Sequence, residues 1–432
     1  MYNKVISKNR FGLPFIVMAA ILAFNATFLT AQDWPRWRGA NNDGIARAPG
    51  LNLDWTQRRP TLAWTFRQAG AGYSAPTIVG TTLYSQGATD GNDFAFALDT
   101  QTGALKWRTV LGPQFVDGQN HGNGGRGSVT VDGDRLYLIR GGGQIHCLSA
   151  TDGRMIWQKD FRADFGGNLM SRTNWGYSES PIVDGNLVIC TPGGEQGAMV
   201  ALDKTNGNVV WRSTEWTDLG GYASPVVAEI QGVRQYIQLT QNGVAGIAAS
   251  NGRLLWKADV GGNGTAAIFT PVVHENIVYV TSGYTANCSA VRLTRTGDTF
   301  NAEVLYTNRN MVNQHGGVVL LNGHIYGFSE TNGWVCQNLM TGEIVWNERN
   351  NLTLKGSMVV VNDRMILYNE TNGLITVAAA SPTGWRDFGR MEIPERTTAV
   401  QTARNFTWTH PVVANRKLYI RDHDLIFCFD LN

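Results

Sequence analysis

Fourteen side chains that could bind a ligand lie just before short pairs of apolar residues. Each of these pairs is typical of the start of a β-strand. The fourteen side chains are aromatic, cationic or polar: Tyr73, His121, Arg126, Asn174, Trp175, Tyr177, Glu179, Tyr222, Phe269, Gln314, His315, Lys355, Trp408 and His410. Aromatic and Arg side chains dominate binding hot spots. If the strands surround one axis, these residues predict a mouth that holds a peptide, a sugar or a partner protein. The alternative is a ring of polar side chains around a water-filled channel.

Within this set Glu179 is the single carboxylate. A lone carboxylate at a solvated mouth needs no ligand. A transition-metal site would require His121, His315 and His410 to converge from separate units, since no two His are spaced i, i+4. The sequence has no G-x-S-x-G, so a hydrolase with that nucleophile is excluded.

Nucleic acid and nucleotides are not indicated as partners. The formal charge of the 432 residues is only +2, without a basic run. Gly122–Gly127 matches GxGxxG formally. That motif must open a helix, however, and here an apolar strand-like segment follows.

A repeat positions the candidate side chains. The segment FALDTQTGALKW (Phe96–Trp107) is typical of a β-hairpin: a short strand, a polar turn with Gly103, and a strand that ends in Trp. Related segments end at Trp157, Trp211, Trp256 and Trp346. A second hairpin precedes each one, and two hairpins make the four strands of a propeller blade.

Eight such units predict an all-β fold, an eight-bladed β-propeller of four-stranded antiparallel blades with almost no helix. The last unit ends without its Trp strand, while RPTLAWTFR (Arg59–Arg67) is a strand without a unit. We therefore expect the N-terminal strand to close the ring. Seven blades is the alternative, because the seventh unit lacks a clean turn.

The chain before the propeller divides in two. Residues 1–31 have a basic start, an apolar run and small residues at LTAQ, which predicts a cleaved signal peptide. An uncleaved anchor is the alternative, although the apolar run is short for a span. No Cys follows the run, so we expect an exported protein, periplasmic or secreted, that is neither a lipoprotein nor membrane-anchored after cleavage.

Residues 32–58 form an N-terminal arm or cap, and residues 59–432 the propeller. Trp34 and Trp37 in DWPRWRGANNDG make the arm either a lid that binds a partner or a cap buried on the propeller. We favour the cap, because exposed paired Trp side chains are costly. The five Cys lack CxxC spacing and are expected to be free, buried thiols.

The A-x-D-x-x-T-G-x-x-x-W pattern at Ala97–Trp107 and Ala201–Trp211 resembles the pyrroloquinoline quinone (PQQ) repeat family. This family comprises the quinoprotein alcohol dehydrogenase-like β-propellers, and the resemblance covers residues 59–432. It includes quinone-dependent dehydrogenases and a non-enzymatic branch, the propeller scaffold of the outer-membrane β-barrel assembly machinery. The resemblance specifies the fold more than the function.

For an enzyme, the resemblance implies a quinone held over Ca²⁺ by Glu and Asn oxygens, with an Asp as the base. Here it assigns Glu179 and Asn174 as metal ligands, and Arg126 and Lys355 as contacts of an anionic quinone. Trp175 and Trp408 would complete the cofactor pocket. The adjacent Cys pair of many members and a CxxCH haem motif are absent. No Asp stands at a matching mouth position, so catalytic residues are unassigned.

We therefore expect a non-catalytic binding or scaffold protein that uses its funnel or rim. Its partner would be another cell-envelope protein or a small molecule in the funnel, with no certain cofactor. The alternative is a PQQ- and calcium-dependent dehydrogenase of alcohols or sugars.

Overall fold

The computed structural model describes residues 1–2, 32–117, 123–170, 175–349, 354–400 and 405–431. The chain divides into two compact units, Met1–Thr30 and Ala31–Asn432. Residues 3–31 of the predicted signal peptide lie outside the described residues, as do His121 and Asn174. Across the described ranges, no helix has the length and apolar character needed to cross a membrane.

Two strands precede the blades, β1 (Ile45–Ala46) and β2 (Thr61–Phe66). The strands of blades 1 and 2 are β3 (Thr77–Val79), β4 (Thr82–Thr89), β5 (Asn92–Asp99), β6 (Leu105–Pro113), β7 (Thr130–Asp132), β8 (Arg135–Ile139), β9 (Gln144–Ser149) and β10 (Met155–Asp160). Those of blades 3 and 4 are β11 (Ile182–Asp184), β12 (Leu187–Cys190), β13 (Val200–Asp203), β14 (Val209–Arg212), β15 (Val226–Ile230), β16 (Val233–Thr240), β17 (Gly243–Ala248) and β18 (Leu254–Ala258).

Blades 5 and 6 consist of β19 (Val272–His274), β20 (Ile277–Thr281), β21 (Cys288–Thr296), β22 (Thr299–Asn308), β23 (Val318–Leu321), β24 (His324–Ser329), β25 (Gly333–Asn338) and β26 (Ile344–Glu348). Blades 7 and 8 contain β27 (Gly356–Val361), β28 (Arg364–Asn369), β29 (Leu374–Ala379), β30 (Asp387–Glu392), β31 (Val412–Ala414), β32 (Lys417–Asp422) and β33 (Leu425–Asp430). A short helix, α1 (Phe161–Phe165), follows blade 2, where Asp160 caps the amides of Arg162 and Ala163.

The strands form eight sheets, which confirms the predicted eight-bladed β-propeller. Within each blade, consecutive strands pair antiparallel, with hairpin turns between them. Blade 7 has one addition that the sequence did not indicate: β1 lies parallel to β27 as a fifth strand, with Ile45 opposite Val360. All five Cys side chains are free and buried.

The N-terminal strand closes the ring. β2 pairs antiparallel with β33, and completes the sheet that β31, β32 and β33 begin. Arg421 is fully buried at the same junction. Its guanidinium donates to the carbonyl oxygens of Ala69, Gly70, Ser74, Gln86 and His423 and to the Ser85 hydroxyl. Blade 8 is thereby fixed to the start of blade 1.

The repeated Trp side chains join each blade to the next. The Nε1 of Trp64 donates to the Thr100 carbonyl oxygen across the seam from blade 8 to blade 1. Equivalent bonds run from Trp107 to Ala150, Trp157 to Lys204, Trp211 to Ala249 and Trp346 to Ser381. Trp256 is an exception, since it donates to Gln235 within its own blade.

The turn glycine of the repeat packs on the Trp of the preceding blade. Gly103 has a φ of +72°, and a Cβ there would lie 2.7 Å from the Trp64 ring. Gly207 has a φ of +74°, and its Cβ would lie 2.8 Å from Trp157. Glycine is therefore required both by the left-handed backbone and by the close approach of the indole.

Candidate functional site

A cavity of about 130 Å³ lies where the inner strands of the propeller, the first strand of each blade, begin. Nine of the fourteen predicted mouth residues line it: Tyr73, Arg126, Trp175, Tyr222, Phe269, Gln314, His315, Trp408 and His410. They come from seven of the eight blades, so the cavity is central, and we call it the axial cavity. The sequence pattern could identify these nine side chains because each of them precedes an inner strand.

The N-terminal arm supplies two more lining residues, Trp37 and Arg38. The arm crosses the inner strands in sequence order. Trp34 bridges Ile78 of blade 1, and the Pro35 carbonyl oxygen accepts from the Val131 amide of blade 2. Further along, Arg38 Nη2 donates to the Val318 carbonyl oxygen of blade 6 at 2.5 Å. This path from blade to blade takes Trp37 and Arg38 to the axial cavity.

Trp37 is fixed by polar and aromatic contacts. Its Nε1 donates to the Thr270 hydroxyl at 2.9 Å. Its ring meets the His410 imidazole edge-on, with centroids 4.6 Å apart. Trp34, in contrast, is buried away from the cavity, at 5% exposure. The two Trp of the arm thus have different environments, one in the propeller core and one at the cavity.

Aromatic rings form much of the cavity wall. Tyr73 and Trp408 lie 5.0 Å apart by ring centroid, and Trp175 lies 5.8 Å from Tyr222 and 6.3 Å from Tyr284. Such surfaces bury the apolar or planar part of a ligand, while their polar edges remain able to hydrogen-bond. The wall is therefore suited to a small organic molecule.

Arg126 lines the cavity as an ion pair with an acidic residue that the sequence pattern missed. Its Nη2 lies 2.6 Å from Asp117 Oδ2, and both side chains are buried. The guanidinium also lies over the Tyr73 ring, 5.6 Å from its centroid. Asp117 follows β6 rather than preceding an inner strand, so the rule that selected the mouth residues could not find it.

Lys355 lies behind the cavity wall rather than in its lining. It contacts Gln314 and lies 3.5 Å from Glu330 Oε1 and 3.8 Å from Glu370 Oε1. Two acidic groups therefore already compensate its charge.

Glu370 is a second acidic residue beside the cavity wall that sequence reasoning missed. It is 4% exposed, and its Oε2 accepts from Trp408 Nε1 at 3.0 Å and lies 3.4 Å from His315 Nε2. Glu370 follows β28, the second strand of blade 7, which runs antiparallel to the inner strand and so ends at the mouth. The ends of second strands are the signal that would have found it.

Glu179 is buried and does not line the cavity, although its neighbours Ser178 and Ser180 do. It is 1% exposed, and both carboxylate oxygens lie 3.0 Å from the Thr191 amide nitrogen. Desolvation raises the pKa of Glu179 to about 8. Tyr177, also outside the cavity, donates to the Pro192 carbonyl oxygen.

The predicted calcium ligands were Glu179 and Asn174. Ca²⁺ requires several ionised or carbonyl oxygen ligands, whereas both Glu179 carboxylate oxygens accept from the Thr191 amide, which is a donor and not a metal ligand. Asn174 lies outside the described residues, and the described ones contain no group of three or more His, Cys, Asp or Glu that could hold a metal ion. Glu179 as described does not fit a calcium site, and we derive no chemistry through calcium or quinone.

The two His of the cavity are uncharged near neutral pH. Burial lowers the pKa of His315 well below its usual value and that of His410 to about 4. His410 Nε2 lies 2.6 Å from the His315 carbonyl oxygen, which fixes its ring. Burial also lowers the pKa of Arg38, but only to about 10, so this residue stays cationic.

Comparisons with known proteins place the chain among PQQ-like propellers. The curated tetrathionate hydrolase of Acidithiobacillus ferrooxidans is 24% identical over 310 residues, 64% of this chain and 56% of the hydrolase. The match thus spans little more than half the length of that relative.

Two solved structures share the fold at low sequence identity. BamB from Moraxella catarrhalis is 16% identical, with a TM-score of 0.57 over 86% of this chain and 98% of BamB. Quinohemoprotein alcohol dehydrogenase from Comamonas testosteroni is 11% identical, with a TM-score of 0.61 over 92% and 80%. A sequence-family model described as "Outer membrane protein assembly factor BamB" matches residues 95–348. The chain therefore belongs to the PQQ-repeat β-propeller family, the family of this BamB model.

Proposed function

We propose that this chain is an exported, non-catalytic binding protein of the cell envelope that takes a small molecule into its axial cavity. The observation that carries the proposal is the convergence of Trp37, Trp175, Tyr222 and Trp408 on one cavity. Concave sites walled by aromatic side chains with a few polar groups are the usual form of small-molecule sites.

The location is proposed on two grounds. Residues 1–31 have the pattern of a signal peptide. The family description also names an outer-membrane assembly factor. On the same grounds we propose that the rim of the propeller contacts another cell-envelope protein.

The test is a titration of the purified protein with pyrroloquinoline quinone and with a panel of small aromatic acids, amides and sugars. Intrinsic Trp fluorescence reports binding, because Trp37, Trp175 and Trp408 line the cavity. Dye-linked alcohol oxidation, with and without Ca²⁺, reports turnover. We expect saturable binding of a panel compound without oxidation of any alcohol. A panel that leaves the fluorescence unchanged would count against a small-molecule site.

A PQQ-dependent dehydrogenase remains the second candidate function. It is favoured by the position of Arg126, Trp175 and Trp408, three of the residues assigned to the quinone, on one cavity. It requires calcium-dependent quinone binding and turnover that Glu179→Ala abolishes. Quinone binding that ignores both Ca²⁺ and this substitution would separate ligand binding from catalysis.

A further inference from the structure

Within the described residues, Arg38 is a buried cation without an ion-paired carboxylate. The side chain is 4% exposed, with Nε 3.3 Å from the Asn42 carbonyl oxygen and Nη2 3.1 Å from that of Asp43. Nη2 also donates to Val318. Over the same described ranges, Nη1 has no hydrogen-bond acceptor. The Asp43 carboxylate is bound 2.7 Å from Arg47 instead.

Gly317 leaves room for this guanidinium at the cavity. A Cβ at Gly317 would lie 2.8 Å from Arg38 Nη1 and 3.2 Å from His410 Cε1. Both Arg38 and Gly317 line the axial cavity. Gly317, just before the inner strand of blade 6, therefore contributes no side chain to the cavity. The Arg38 guanidinium of the arm lies there instead.

Three of the hydroxyl groups that line the same cavity come from equivalent positions in blades 3, 4 and 5: Ser180, Ser224 and Thr270. We call them the hydroxyl belt. Ser180 Oγ accepts from the Ser128 amide, Ser224 Oγ from the Ser180 amide, and Thr270 Oγ1 from Trp37 Nε1. Because each oxygen already accepts a bond, the hydroxyl hydrogen is left to donate. None of these hydrogens has an acceptor within the described parts of the chain.

The other charged side chains around the cavity have partners of opposite charge. Asp117 pairs with Arg126, and Lys355 lies near both Glu330 and Glu370. A buried charge is costly unless it is paired. A guanidinium Nη1 and a row of donor hydroxyls at one cavity form a site for an anion.

We propose that the axial cavity recognises the anionic head of a small organic acid, a carboxylate or a sulfonate, through Arg38 and the hydroxyl belt. The apolar body of the acid packs against Trp37 and Phe269, which line the same cavity. The proposal rests on the proposed function, since it names the ligand class of that cavity. The cavity holds about 130 Å³, close to the ~150 Å³ that admits benzene, so the acid carries about one ring.

The probes are benzoate, its neutral analogue benzamide, and inorganic sulfate, each titrated by calorimetry and Trp fluorescence. We expect benzoate to bind saturably and benzamide to bind at least about 10-fold more weakly, since charge-assisted hydrogen bonds are lost. Equal binding of benzoate and benzamide overturns the anion proposal but leaves a small-molecule site in place. Sulfate binding as tight as that of benzoate overturns the organic-acid class, and no binding of benzoate overturns the proposal itself.

Variants assign the affinity to named groups. Arg38→Gln is expected to weaken benzoate binding by about 10- to 100-fold while benzamide binding is unchanged, and Arg38→Lys to restore part of it. Arg36→Gln is the matched control, because Arg36 belongs to the same arm but does not line the cavity. If Arg38→Gln does not fold, Thr270→Val tests one hydroxyl at constant shape, with an expected loss of about 3- to 10-fold. Unchanged affinity in the folded Arg38 or Thr270 variants overturns the proposal.

Discussion

The seams between blades and the axial cavity use Trp side chains in opposite ways. At the seams, Trp107, Trp157 and Trp211 occupy one repeated position and make the same bond to the next blade. At the cavity, Trp37 and Trp408 come from unrelated positions and make different bonds, to the Thr270 hydroxyl and to the Glu370 carboxylate. A Trp that repeats from blade to blade therefore holds the ring together, whereas the two cavity Trp occupy positions at which Trp does not repeat.

This difference predicts that substitutions at the seams affect stability and those at the cavity affect binding. Measuring both properties in every variant tests whether the two regions are separable. The expected effect on stability is largest for a seam Trp and smallest for the cavity residue Trp37.

Trp211→Ala is expected to lower the free energy of unfolding by about 3–5 kcal/mol, as large core truncations do. The side chain is 9% exposed, bonds the Ala249 carbonyl oxygen and stacks on Tyr236 of blade 4 at 6.0 Å. Chemical denaturation measures the loss. Val210→Ala, on the same strand and 54% exposed, is the control with little expected change. A Trp211→Ala protein as stable as this control would contradict the seam assignment.

Gly207→Ala is expected to lower the free energy of unfolding by about 2–4 kcal/mol. The loss has two causes, because the backbone at Gly207 is left-handed and the new Cβ would overlap Trp157. Gly185→Ala separates the two causes. Gly185 has a φ of +59° but nothing within 4 Å of the Cβ position, whereas Gly207 has Trp157 at 2.8 Å. We expect the control to lose only about 1 kcal/mol. Equal losses in thermal or chemical denaturation would mean that the indole contact contributes nothing.

A substitution of Glu179 tests whether this residue belongs to the propeller core or to the axial cavity. Its folded-state pKa, about 8, lies above the usual Glu value of 4.5. A raised carboxyl pKa stabilises the fold below about pH 4.5, and this stabilisation is lost as the pH rises through about 8. We expect Glu179→Gln to be more stable than the parent at about pH 8, on the order of 1–3 kcal/mol, and not at about pH 5.

The same Glu179→Gln variant is expected to bind cavity ligands normally, since the residue does not line the cavity. Denaturation at several pH values and one titration suffice. Altered ligand affinity would place Glu179 in the site, whereas a pH dependence of stability like that of the parent would contradict its raised pKa.

Trp37→Phe should have the smallest effect on stability, about 0.5–1.5 kcal/mol, because one hydrogen bond to Thr270 is lost while the ring remains. Ligand affinity should change more clearly, since the Thr270 hydroxyl is then free to rotate. The matched substitution Trp107→Phe, at a seam, should lower stability without altering affinity. The opposite pattern would remove the distinction between seam and cavity.

The fold was predictable because its determinants lie close together in the sequence. The turn of Phe96–Trp107 contains its own Gly103 and Trp107, so one copy specifies the local structure and the repeats specify the ring. Even the closure by β2 could be inferred from Trp64, which stands in the repeat position without a unit of its own.

The cavity was only partly predictable. Trp175, Trp408 and Arg126 were found because they precede inner strands, but Arg38 reaches the cavity through contacts with blade 6, 280 positions away in sequence. Glu370 and Asp117 were missed because they follow strands. Glu179 was expected to line the mouth, and only the three-dimensional structure shows that its carboxylate accepts from the Thr191 amide and does not line the cavity.

Closure of the ring by β2 also constrains how the protein folds. Residues Thr61–Phe66 emerge from the ribosome long before their partner β33 at Leu425–Asp430. Until β33 is available, β2 and β32 each have an unpaired edge. Such long-range pairing slows folding and leaves edges exposed to other chains. The ring therefore closes only after β33 has been synthesised, and a chain truncated before β33 leaves the edges of β2 and β32 exposed to aggregation.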